Sequence, residues 1–153
     1  MKKIYVLVAV LCCIYTSEAQ SYEYQVITSV ESIIPSGTGR SRLISTDENR
    51  NYKDFTSVRT DGKTVKDKRN KSDRGDIRVK NFEETKLLNF YNIAGIRFQN
   101  IAANDAVIAS KINTMTEEGW ELAFVTSAVE SDAGKNDGRG IFITRYIFKK
   151  LKE

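Results

Sequence analysis

The stretch Asp105 to Val129, DAVIASKINTMTEEGWELAFVTSAV, contains the change of hydrophobic period that decides the fold. In its first half Ile108, Ile112 and Met115 recur at helical spacing and form one apolar stripe. Asn104 is placed to cap this helix, and Asp105 complements the positive end of the dipole in its first turn. Gly119 supplies the left-handed stop. From Trp120 the period falls to that of a strand, with Trp120, Leu122 and Phe124 on one face. A helix that hands over directly to a strand sets a layer of helix against a layer of sheet.

Working outward, Ser131 to Gly140 (SDAGKNDGRG) is a polar loop and Ile141 to Lys150 (IFITRYIFKK) a closing strand, so the chain ends in a β-hairpin. At the other end residues 22–32 (YEYQVITSVES) alternate strictly. Tyr22, Tyr24, Val26, Thr28 and Val30 share one face and Glu23, Gln25, Ile27, Ser29 and Glu31 the other, which marks a half-buried strand. Pro35, Gly37 and Gly39 stop it. A further helix is predicted over 82–94: Asn81 as cap, Glu83 and Glu84 in the first turn, then Leu87, Phe90, Tyr91 and Ala94 at helical spacing, and Gly95 as stop. The expected fold is α+β: a small, mostly antiparallel sheet with strands near 22–32, 120–130 and 141–150, packed by helices near 82–94 and 105–118.

Between these elements, 45–80 is crowded with charged and polar residues, and Tyr52, Phe55, Val58, Val65, Ile77 and Val79 follow neither period. Such a composition buries too little apolar surface to offset chain entropy, so a mobile charged insertion is predicted in an otherwise single domain over 20–153. Its basic run Lys63 to Arg74 is interrupted by Asp67 and Asp73 and reads as a solvated linker.

Met1 to Ala19 reads as an export signal: Lys2 and Lys3, the apolar run Ile4 to Ile14, then small residues at Ser17 and Ala19 before cleavage near Gln20. The run is shorter than the roughly 20 residues of a permanent membrane helix, so no membrane span is expected. Cleavage would remove both cysteines, Cys12 and Cys13, leaving no disulfide, thiolate nucleophile or thiolate zinc site. Histidine is absent from the whole chain, which takes away the usual general base near neutral pH. The net charge is +4, falling by one on loss of Lys2, Lys3 and Glu18. That suits weak attraction to an anionic ligand or envelope partner, not dedicated nucleic-acid binding.

The segment Lys111 to Leu122, KINTMTEEGWEL, together with Tyr22-Glu23-Tyr24 at the start of the first strand, resembles a short family of bacterial domains of unknown function. Those domains open on a Tyr-rich strand and carry a helix ending in L-N-x-x-x-x-E-G-W-E-L before a terminal hairpin. Ile112-Asn113 stands for the L-N pair, and Glu118 to Leu122 matches the end of the motif. The resemblance covers the first strand, the second helix and the hairpin, and 33–104 has no place in it. It implies an enlarged exported relative with an α+β fold, and no activity, catalytic residue or cofactor. The physics of the motif is structural: Gly119 turns the chain and Trp120 packs between helix and sheet.

Two Gly/Arg loops are the candidate binding sites, Ser36 to Arg42 and Asp132 to Gly140. Glycines let backbone N–H groups converge on an anion, and Arg40, Arg42, Lys135 and Arg139 supply cations. If strands 22–32 and 120–130 run parallel, both loops leave one end of the sheet and form a single rim. Glu130, Asp132 and Asp137 do not match a calcium loop, and no metal site, cofactor or catalytic residue is assigned. The leading expectation is a non-enzymatic domain that binds a ligand or partner in the envelope or outside the cell. The alternatives are a carboxylate- or Lys-dependent enzyme acting on a phosphorylated or sugar substrate at that rim, and an interaction protein whose 45–80 segment folds on a partner.

Overall fold

A computed structural model describes residues 20–33, 41–92, 94–130 and 140–152. The elements are β1 (Tyr22–Ser32), β2 (Arg42–Ser45), a 3₁₀ turn (Tyr52–Phe55), α1 (Arg74–Ile77) and β3 (Glu83–Lys86). There follow β4 (Tyr91–Asn92), β5 (Gly95–Ile96), α2 (Phe98–Glu117), β6 (Glu121–Glu130) and β7 (Ile141–Leu151). Five strands form one sheet in the order β3-β2-β1-β7-β6, antiparallel at every step, and β4 and β5 form a separate small hairpin. The α+β class and its antiparallel sheet are as the sequence indicates.

One face of the sheet carries α2. On β1 the residues turned to the helix are Ile27, Ser29 and Glu31, which pair across to Tyr146, Thr144 and Phe142 of β7. The core joins Ile27, Leu43, Leu87 and Phe148 of the sheet side to Ile108 and Met115 of α2, with Val107, Ile112, Trp120 and Tyr146 against it. The predicted stripe of Ile108, Ile112 and Met115 is therefore the face that α2 buries. Phe148 is fully enclosed at the centre.

The end of α2 follows from its last residues. Trp120 N–H donates to the Met115 carbonyl at 2.9 Å and Gly119 N–H to the Thr116 carbonyl at 3.0 Å, a Schellman pair. Gly119 takes φ +86°, which a side chain would resist. Trp120 is partly buried against the core, and Lys150 Nζ donates to the Glu118 carbonyl at 2.9 Å across the turn.

Three expectations are corrected. There is no helix over 82–94: Glu83–Lys86 pair with β2, and Leu87 N–H donates to the Ser41 carbonyl at 3.0 Å. Phe90 N–H goes to the Ser32 carbonyl, and the Phe90 carbonyl accepts from Arg97 N–H at 2.8 Å. Distant strands thus take the backbone groups that a helix would have paired internally, and tertiary pairing overrides a helical spacing. Asn104 is not a cap: α2 begins at Phe98, and Asn104 is buried within it. Phe124 does not share a face with Leu122, because a bulge between them sets Leu122 opposite Phe148 and Phe124 opposite Ile147.

The 45–80 segment carries the 3₁₀ turn, α1 and one bridge between Val58 and Lys68, and none of the residues in its two helical turns is buried. Local bonds such as Arg59 to Asp67 at 3.1 Å hold it together.

Candidate functional site

The predicted rim required the strands before its two loops to run parallel, and they do. β1 and β6 are each antiparallel to β7, so they run parallel, and the loops that follow them leave the same end of the sheet. Ile33 N–H donates to the Gly140 carbonyl at 3.2 Å, and Ser32 N–H to Ser41 Oγ at 2.9 Å, so the bases of both loops are joined. Arg40, Lys135 and Arg139 lie outside the described residues, as do residues 1–19, which carry the expected export signal. Arg42 is described and is already engaged: it forms an ion pair with Glu84 and donates to the Ser41 carbonyl at 2.8 Å.

Under α2, near that end, lies a buried polar clamp. Asn104 Nδ2 donates to Glu31 Oε1 at 2.7 Å and to the Leu88 carbonyl at 2.8 Å, while its Oδ1 accepts from Leu88 N–H at 2.8 Å. Ser41 Oγ donates to Asn89 Oδ1 at 2.8 Å, and Asn100 donates to the Asn89 carbonyl at 2.8 Å. Burial pushes the Glu31 carboxyl above its ordinary range, with the Asn104 bond opposing and the Asp105 charge reinforcing the shift. Burial likewise raises Tyr146. Surface grooves of 380 to 410 Å³ lie elsewhere, along the Ser45–Glu48 and Asn81–Glu83 segments, by Trp120 and beside α2, and Glu31 lines none of these. A carboxylate held by an amide beneath a helix fastens helix to sheet.

The other face of the sheet carries no helix among the described residues. By register, β1 turns Tyr22, Tyr24, Val26, Thr28 and Val30 outward, the set that alternation placed together. Three rows cross the middle of this face. Val26, Ile147 and Phe124 form one, Thr28, Arg145 and Thr126 the next, and Val30, Ile143 and Ala128 the third. Tyr24 is 63% exposed, Val26 44% and Phe124 61%. Side chains of this size left open together exceed the scattered apolar residues of an ordinary surface. The edge strand β6 is exposed along its whole length, and its two charges, Glu121 and Glu130, stand at its ends.

Sequence reasoning did not single out this face or Arg145. The signal was present: Arg145 is the one charge in Ile141 to Phe148, IFITRYIF. Among the described residues no helix is long and apolar enough to cross a membrane, and no three acidic, histidine or cysteine side chains gather as a metal site. No family model, no curated protein and no solved structure matches this chain.

Proposed function

We propose that the chain is an exported, non-enzymatic binding domain of the cell envelope or extracellular space, and that a protein partner docks on the open face of its sheet. The observation that carries this reading is the grid of Val26, Ile147, Phe124, Val30, Ile143 and Ala128, which the register turns away from α2. A flat, β-branched and aromatic surface of this kind gains free energy when a complementary surface removes it from water. The absence of histidine, the lack of cysteine beyond the leader, and the enclosure of Glu31 support binding over catalysis.

The test is site-specific photocrosslinking in the native host, with the reactive residue at Val26 or Phe124 on the open face or at Asn113 or Thr116 on the outer side of α2. The expected result is one reproducible adduct, identified by mass spectrometry, from the open-face positions alone. Equal labelling from both faces, or none from either, would remove the proposal.

A further inference from the structure

Resting on that docking reading, we infer that the partner presents a carboxylate set in an apolar surface, and that Arg145 receives it. On the β1–β7–β6 part of the face the cations are Lys149 and Arg145. Lys149 is satisfied: Glu121 lies at 3.3 Å, and the Tyr22 ring centroid at 5.1 Å. Arg145 is exposed, and among the described residues it has neither a carboxylate nor a ring within reach. It stands at the middle of the grid, between an apolar row on each side, with Thr28 and Thr126 as its cross-strand neighbours.

That placement restricts the occupant. A purely apolar partner would strip water from the guanidinium and offer no counter-charge, which is strongly unfavourable. A second copy docking face to face about a two-fold axis would bring Arg145 toward its own equivalent, a like-charge contact. A polyanion such as nucleic acid draws affinity from many phosphate contacts, and on the β1–β7–β6 part of the face Arg145 alone, among the described residues, is a cation without a counter-charge, which supplies few. A carboxylate answers the geometry. The guanidinium fork takes it with two parallel bonds, the flanking threonine hydroxyls can donate further, and the apolar rows exclude water around the pair.

The experiment uses the intact purified protein as bait for two displayed libraries of short, apolar-rich peptides, identical except that one carries Asp or Glu centrally and the other Asn or Gln. The acidic library is expected to enrich at least about tenfold over the amide library. Arg145→Gln should abolish that preference, and Arg145→Lys, which keeps the charge without the fork, should retain part of it. Both substitutions sit on an exposed side chain, and unchanged thermal unfolding confirms the fold. Equal enrichment of both libraries that is lost in Phe124→Asp would overturn the carboxylate and leave the docking face standing. No enrichment, or enrichment that survives Phe124→Asp, would overturn both. Arg145-dependent binding to phosphatidylglycerol vesicles without peptide enrichment would replace the protein partner by a membrane surface.

Discussion

Replacing Asn104 by alanine removes three hydrogen bonds at once, those to Glu31 Oε1 and to both backbone groups of Leu88. The bond to Glu31 joins a donor to a buried carboxylate, whereas Leu88 is 40% exposed, so water can partly replace the other two. The charge-assisted bond at the upper end of the usual range and two ordinary ones add up to about 3–5 kcal/mol. Against the stability of a typical domain that is a large fraction, and Tm should fall by roughly 10 °C. The loss has a pH signature with a definite sign. Glu31 sits above its ordinary range in the folded protein, so its ionisation lowers stability as pH rises through its folded pKa. Asn104 opposes that rise, so its removal pushes Glu31 higher, and the penalty is greatest near neutral pH and shrinks toward about pH 4. Urea unfolding followed by circular dichroism at both pH values measures it. Glu31→Gln keeps an acceptor for Asn104 without the charge, and it should stabilise the protein near neutrality while leaving acidic pH nearly unaffected. A loss below about 1 kcal/mol, or one of equal size at both pH values, would refute the clamp.

Other outcomes follow from the two faces and the turn. Phe148→Ala, at a fully enclosed side chain, should cost about 3–5 kcal/mol, and Phe124→Ala, 61% exposed, less than about 1 kcal/mol; similar losses in denaturant unfolding would mean the faces are misassigned. Gly119→Ala should cost about 1–2 kcal/mol by thermal unfolding, from backbone strain at φ +86° alone, since the added Cβ meets only the flexible end of Lys150, with Cε at 3.5 Å and Nζ at 3.8 Å. Gly119→Asn should recover part of that, and a larger loss for Asn than for Ala would contradict the left-handed turn. Glu83 is held below the ordinary carboxylate range by its bonds from Lys111 and Ser45, so Lys111→Ala should raise its NMR titration midpoint, and an unchanged midpoint would show that the pair does not form in solution.

What was legible in the sequence is what contiguous residues determine. The stripe of Ile108, Ile112 and Met115, the Gly119–Trp120 turn and the terminal hairpin each depend on neighbours within a few positions. The segment from Asn81 to Ala94 depends on distant partners. Its helical spacing of Leu87, Phe90 and Tyr91 is real, yet Ser41, Asn104 and Ser32 bind the backbone groups of Leu87, Leu88 and Phe90. The same non-locality hid β2 and β3, four residues each, which exist by pairing with β1 and with one another. Asn104 carried a polar signal that favours caps, and its use inside a helix became visible only when Glu31 and Leu88 stood beside it. In β6 the bulge after Leu122 reversed the parity that alternation predicts, and so moved Phe124 to the open face.

The parity of β1 bears most directly on function. Tyr22, Tyr24, Val26, Thr28 and Val30 are together more apolar than Ile27, Ser29 and Glu31, yet the second set lies under α2. A slip of one residue would exchange the two sets and bury the tyrosines and valines. Polar bonds at the C-terminal end of the strand oppose that slip: Glu31 is held by Asn104, and Ser32 N–H by Ser41, whose own hydroxyl is anchored on Asn89. Burial of Ile27 beside Phe148 fixes the same register from the centre. The chain thus forgoes part of the hydrophobic stabilisation open to it and keeps an apolar grid around Arg145 turned outward. Selection for stability alone would favour the opposite parity, with the carboxylate outside and the valines inside. The arrangement is intelligible if the grid is covered in use, and then substitutions there should weaken docking while leaving the unfolding of the free protein nearly unchanged.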